Sequence, residues 1–122
     1  MSLSKCPCNP SMAYQSCCQP LHDGAVATTP EQLMRSRYSA FALGLADYLH
    51  ATWHPSTRPA LDLKDNPRWV QLQILDSGQQ HQHGWVHFRA FYQEQGELQM
   101  LEERSRFVRE AERWLYLDGS VM

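Results

Sequence analysis

After Cys18 the sequence contains no cysteine, so no free thiol nucleophile and no disulfide staple is on offer across most of its 122 residues. It has no run approaching the roughly 20 apolar residues that cross a bilayer. The opening segment, 1–13, carries one lysine and no apolar stretch of the signal-peptide kind. Basic residues are in slight deficit: the formal charge is -2, and four thiolates on a divalent ion would lower it to about -4. That balance argues against a nucleic-acid partner, all the more because Lys5 is the only cation in the first 24 residues. Low-complexity tracts, internal repeats, a glycine-rich phosphate loop and a Gly-x-Ser-x-Gly elbow are all missing. The expectation is a soluble cytoplasmic chain with no membrane segment and one core, since 43% of its residues are hydrophobic and 20% charged.

What the sequence does hold is a cluster of four cysteines within thirteen positions: Cys6-Pro7-Cys8, eight residues, then Cys17-Cys18. Disulfide frameworks spread cysteines along a chain, because longer closed loops stabilise more. Adjacent cysteines such as Cys17 and Cys18 bond to each other only with strain. In a reducing compartment the pattern suits a metal, with redox-active dithiols as the competing use. Zinc takes four thiolates tetrahedrally, and four protein ligands leave no open position, so the role is structural rather than catalytic. Tyr14 and Met12 are placed to cover the site. His22, four residues after Cys18, is either a replacement ligand or a neighbouring support, and the second is preferred.

The spacing of these cysteines, with Tyr14 between them, resembles the SEC-C zinc motif at the C-terminus of the bacterial translocation ATPase SecA. It departs from the SecA form in having Cys18 where histidine is usual, and in lacking the Gly-Ser-Gly-Lys-Lys stretch within the loop.

Beyond a short linker of small residues, Thr29-Pro30-Glu31-Gln32 reads as a helix start: a threonine cap, proline in the first turn, and Gln32 completing a capping box. Met34, Tyr38, Phe41, Leu45 and Leu49 recur every three or four residues, predicting an amphipathic helix broken near Gly44 and resumed over 46–52 until His54-Pro55 stops it. After Pro67 the period becomes two. Strands are expected at 69–75, 85–92, 98–107 and 113–117, with turns at Asp76-Ser77-Gly78, Gln95-Gly96-Glu97 and Glu110-Ala111-Glu112. Helices followed by a meander of strands give an α+β class, helices packed on a curved antiparallel sheet.

The blocks Leu33–Phe41, Asp47-Tyr48-Leu49 and Thr52-Trp53-His54-Pro55, in that order, resemble the bacterial YchJ family, in which a SEC-C motif accompanies a domain of the nuclear transport factor 2-like fold. The resemblance implies two parts, 1–24 as a zinc knuckle and 25–122 as a cone of helices on a strongly curved sheet enclosing a pocket. It also implies the possibility of a homodimer through the open sheet face. It implies no activity.

Pocket residues are expected to include Arg37, Tyr38, Tyr48, Trp53, His87 and Arg89. Arg37 lies close to the apolar stripe, which suits an anion-binding arginine at the cone mouth, or an arginine paired to Asp47, Glu102 or Glu103. Tyr38, Tyr48 and Trp53 read first as core aromatics. His50 and His54 have metal-ligand spacing, but Pro55 argues against helix at His54. His81 and His83 fall in a glutamine-rich hairpin tip. In the strand 85–92, one face carries Trp85, His87, Arg89 and Phe91, the other Val86, Phe88, Ala90 and Tyr92. If the first faces inward, His87 and Arg89 meet Glu103 and Ser105 inside the cone, an acid–base set. The leading functional expectation is a binding module for a protein partner or small ligand with a structural zinc. The alternative is an enzyme of isomerase or hydrolase type using the pocket, an analogy of fold alone. Zinc is expected to be needed for folding of the first 24 residues only.

Overall fold

In a computed structural model, which describes residues 5–122, the chain folds as two small antiparallel and helical elements followed by one larger sheet. Strands β1 (Lys5–Cys6) and β2 (Asn9–Ala13) form a hairpin, a 3-10 turn covers Tyr14–Ser16, and a one-turn helix α1 spans Gln19–His22. Helices α2 (Pro30–Leu43) and α3 (Ala46–Ala51) follow. Strands β3 (Arg68–Gln80), β4 (His83–Glu94), β5 (Glu97–Glu110) and β6 (Arg113–Val121) then form an antiparallel meander in the order β3-β4-β5-β6.

The start of α2 follows from its first four residues. The Thr29 hydroxyl accepts the Gln32 amide at 3.1 Å, while Gln32 reaches back to the Thr28 amide at 2.7 Å, so orphan donors of the first turn are satisfied from both sides. Gly44, at φ 76°, ends the helix in the left-handed conformation rather than bending it.

α2 is buried nearly all round. Met34, Arg37 and Tyr38 point toward the sheet; of the two fully buried serines, Ser39 points toward the cysteine cluster and Ser36 toward Tyr48 of α3. A single apolar core therefore runs from Cys6, Cys8, Cys18 and Leu21 through Leu33 and Met34 to Val86, Phe88, Phe107 and Trp114 on the sheet.

The sheet extends further than the period-two signal predicts. Asp76-Ser77-Gly78 is not a turn: Ser77 and Gly78 pair with Val86 and Trp85, and the chain reverses only at His81-Gln82. A bulge between Ile74 and Asp76 interrupts the alternation there. Gly78 serves as a flat place for the Trp85 ring, since a Cβ at 78 would stand 2.3 Å from it. The other two turns fall where expected, at Gln95-Gly96 and Ala111-Glu112.

The face of β4 is the opposite of the one that would put His87 and Arg89 inside. Val86, Phe88 and Ala90 are buried, and His87 and Arg89 lie on the outer face, both against Glu102. Residues 52–54 join the far edge of the sheet: the Tyr116 amide donates to Thr52 O and the His54 amide to Tyr116 O, each at 2.8 Å, a short parallel bridge around Trp53. Among the described residues, no helix is long and apolar enough to cross a membrane.

Replacing Thr29 by alanine removes the helix cap without touching the core, and is expected to lower unfolding free energy by about 1 kcal/mol in urea titration. An unchanged midpoint would mean that the first turn is held by packing alone.

Candidate metal centre and cone cavity

The hairpin β1–β2 and the link between the 3-10 turn and α1 bring the four Sγ atoms of Cys6, Cys8, Cys17 and Cys18 within 4.8 Å of one another. Four of the six separations are 3.6 Å (Cys6–Cys8), 3.5 Å (Cys8–Cys17), 3.6 Å (Cys8–Cys18) and 4.0 Å (Cys17–Cys18). A tetrahedron of thiolates at about 2.3 Å from a central ion has edges of about 3.8 Å, so the cluster has the size of a tetrahedral metal site. It is also far too open for disulfides, whose sulfurs sit about 2.05 Å apart. Without an ion the cluster is electrostatically lopsided. Hydrogen bonding, first from Cys18, brings the Cys8 thiol down to about 5 despite its burial, while the Cys17 and Cys18 thiols are pushed up. Four thiols crowded this closely cannot all ionise unless a cation joins them.

The surroundings hold the cluster against α2. Ser39 Oγ lies 3.2 Å from Cys18 Sγ and 3.5 Å from Cys6 Sγ. The Arg35 guanidinium donates to Cys8 O at 3.4 Å and to Glu31 at 3.0 Å. His22 is not among the grouped ligand atoms; its two ring nitrogens are taken by Tyr14 Oη at 2.7 Å and Ser36 O at 2.8 Å. It is a strut between the knuckle and α2, with the Tyr48 ring edge-on at 4.7 Å. Tyr14 packs on the cluster, while Met12 stands 42% exposed. Among the described residues no second group of metal-ligating side chains forms. His50 and His54 are separated by the end of α3, and His54 bonds Glu110 and Ser56, each at 2.7 Å.

On the other side of α2 lies a cavity of about 190 Å³, walled by Met34, Tyr38, Phe41, Trp69, Phe88, Ala90 and Leu101, with Arg37, Trp53, Glu103, Ser105 and Tyr116 at its polar end. Arg37 is only 3% exposed. Its Nη1 donates to Leu49 O at 3.0 Å and Thr52 Oγ1 at 2.7 Å, and its guanidinium carbon lies 4.8 Å from the Trp53 ring centre and 4.6 Å from that of Tyr116. Burial lowers its pKa to about 10, which still leaves it a cation at neutral pH. Two aromatic faces and a backbone carbonyl thus replace the water it has lost. Asp47, Glu102 and Glu103, the carboxylates expected as its partners, make no ion pair with it.

Glu103 faces the cavity, with Ser105 Oγ and Tyr116 Oη (3.1 Å) both donating to its Oε2. Burial, then the charge of Glu103, raises the Tyr116 phenol, so the phenol keeps its proton. The β6 bulge at Leu117 makes this corner. Tyr116 lies opposite Phe107 and Gly119 opposite Ser105, so both face inward despite being three residues apart. Gly119 leaves room for the carboxylate, because a Cβ there would stand 2.2 Å from Glu103 Oε2.

Of the six pocket residues expected from sequence, the structure brings Arg37, Tyr38 and Trp53 to the cavity. Tyr48 hydrogen-bonds Ser36 at 2.7 Å on the knuckle side of α2, and His87 and Arg89 are outside. Glu103 and Ser105 do line the cavity, but opposite Phe88 and Val86 rather than beside His87. Tyr116 and Gly119 carried no sequence signal beyond strand parity, and the bulge at Leu117 erased that.

The family profile described as "YchJ, middle NTF2-like domain" matches residues 29–119. A UPF0225 protein of Streptomyces coelicolor is 48% identical over 100% of this chain and 99% of its own length, and one of Bordetella parapertussis 46% over 98% and 95%. Among solved structures, a SEC-C motif containing protein from Rhodopseudomonas palustris superimposes with a TM-score of 0.87 at 33% identity, covering 97% of this chain and 98% of that one. A second such protein, from Psychrobacter arcticus, gives 0.83 at 33% identity, covering 99% and 84%.

Two outcomes follow from this geometry. Gly119→Ala is expected to displace the Glu103 carboxylate from Tyr116, shifting the Tyr116 ring resonances in NMR spectra while the fold persists. In acid, the Glu102 carboxyl on the outer face is held below its usual range, first by Arg89 and then by His87. Its folded pKa being the lower one, its stabilisation is present above the unfolded value near 4.5 and disappears as pH falls through the folded one. Glu102→Gln should therefore flatten the acid limb of the stability profile, and an unaltered limb would show that the pair contributes nothing.

Proposed function

The chain belongs to the YchJ family, with the nuclear transport factor 2-like domain preceded by a SEC-C-type cysteine cluster, and from that premise we propose that it is a binding protein whose cavity receives a small molecule. The observation that carries this reading is the polar end of the cavity: a buried arginine and a carboxylate set in apolar walls, with donors and an acceptor that take no partner among the described residues. The cysteine cluster binds zinc in a closed, structural site. Four thiolates of tetrahedral size favour zinc over harder cations, and reduced thiols suit the cytoplasm. The exposed side of the knuckle, where Met12 stands out, is the surface offered to a protein partner.

One observation favours the enzymatic alternative of isomerase or hydrolase type. Tyr116 and Glu103 are hydrogen-bonded to each other within the cavity, a phenol and a carboxylate able to trade a proton with a bound molecule. The histidine form of that idea is gone, since His87 faces outward.

Two measurements test the proposal. Protein purified without added metal is expected to contain one zinc per chain and to yield four thiols on denaturation; no metal and fewer thiols would overturn the structural site. A fragment screen by NMR is expected to find small ring compounds that shift Phe88, Ala90 and Leu101 together, and a screen in which none do so would remove the cavity-binding reading.

Chelation gives a third outcome. Because Ser39, His22 and the shared core tie the cluster to α2, removing zinc is expected to lower the melting temperature of the whole chain in one transition. Loss confined to the first 24 residues, as the sequence alone leads one to expect, would show that these contacts contribute little.

A further inference from the structure

The cavity's polar end carries two sets of atoms that take no protein partner among the described residues. Arg37 uses only Nη1, and its Nε and Nη2 donate to nothing among the described residues. Glu103 receives both of its protein donors on Oε2, so Oε1 is a vacant acceptor among the described residues. Both side chains line the same cavity, and polar groups in such a place are met by water or by a guest. Trp53 Nε1 is also without a partner, as Trp114 Nε1 is, but both are sealed among packed side chains and closed to a guest.

The charges set a further condition. Arg37 and Glu103 bring one positive and one negative charge to an otherwise uncharged space, without forming an ion pair. A guest with net charge would unbalance them between largely apolar walls, at a desolvation cost. A neutral guest that accepts from Arg37 and donates to Glu103 satisfies both and leaves the balance at zero. Size narrows the class again: a cavity of about 150 Å³ lined by apolar groups holds benzene, and this one measures about 190 Å³ between aromatic walls.

Resting on the small-ligand reading above, we propose that the cavity takes an uncharged single-ring compound with a carbonyl or ring-nitrogen acceptor for Arg37 and, beside it, an N–H or O–H donor for Glu103. Cyclic amides and related heterocycles have this edge. Simple carboxylates, the guests a lone buried arginine would select, do not.

The test uses the full, zinc-loaded chain and three ring probes of similar size: 2-pyridone, benzoate and toluene, titrated by NMR with the indole N–H resonances resolved. 2-Pyridone is expected to bind about tenfold or more tightly than either of the others, the equivalent of about one charge-assisted hydrogen bond, and to shift the Trp53 indole N–H. Glu103→Gln should weaken 2-pyridone while leaving toluene unchanged, whereas Trp53→Phe, which keeps a ring beside Arg37, should change the two probes alike. Benzoate binding as tightly as 2-pyridone would overturn the neutral class. Toluene binding without 2-pyridone would overturn the matched polar edge yet leave a ligand cavity standing. Failure of all three would instead overturn the cavity-binding reading beneath it.

Discussion

Burial of α2 on both sides is the constraint from which the rest of the structure follows. Most helices of small domains keep one wet face, and their polar residues lie there. Here the cysteine hairpin covers one side and the sheet the other, so every polar group on Pro30–Leu43 that turns inward needs a designated partner. Ser39 meets the sulfurs of Cys6 and Cys18, Ser36 meets Tyr48 and His22, and Arg37 meets Leu49, Thr52 and two aromatic rings. Serine is small enough to let the thiol cluster approach the helix closely, and arginine long enough to cross to the sheet edge. The metal centre and the cavity are thus two linings of one helix.

The parts of this arrangement legible in the sequence are those that depend on neighbours in the chain. The four cysteines announce a metal site by spacing, and the Thr29–Gln32 cap announces the helix, because each is a local geometric device. The meander and its last two turns are legible for the same reason. The face of β4 is not. Trp85, His87, Arg89 and Phe91 form one alternating set and Val86, Phe88, Ala90 and Tyr92 the other, and aromatic residues stand in both. Only docking of α2 selects the second set for the interior, and α2 is more than forty positions away. Tyr48 falls on the knuckle side of α2 rather than in the cavity, since an aromatic residue on the helical part of the chain does not show in sequence which side of α2 it packs against.

Glu103, Tyr116 and Gly119 illustrate the harder case. Each is unremarkable in its own strand, and their meeting requires Leu117 to bulge out of the ladder, which a periodic reading cannot foresee. The segment 52–54, bonded to Tyr116 through the backbone, closes the same corner from the helical side and holds Trp53 over Arg37. The polar end of the cavity is therefore assembled from chain positions 37 to 119 by main-chain contacts as much as by side chains.

The bulge at Leu117 has a consequence for how such a site is inherited. Strand parity is a binary quantity, and Tyr116 and Gly119, an odd number of steps apart, share the inward face only because Leu117 drops out of the alternation. Drawing Leu117 into the regular ladder would leave every cavity side chain in the sequence and yet send one of the two to the outer face. Deleting it would instead make the step even and keep both inward. The chemistry of the pocket is thus encoded partly as register, so a relative could keep all the residues named here and still lack the site, or lose Leu117 and retain it.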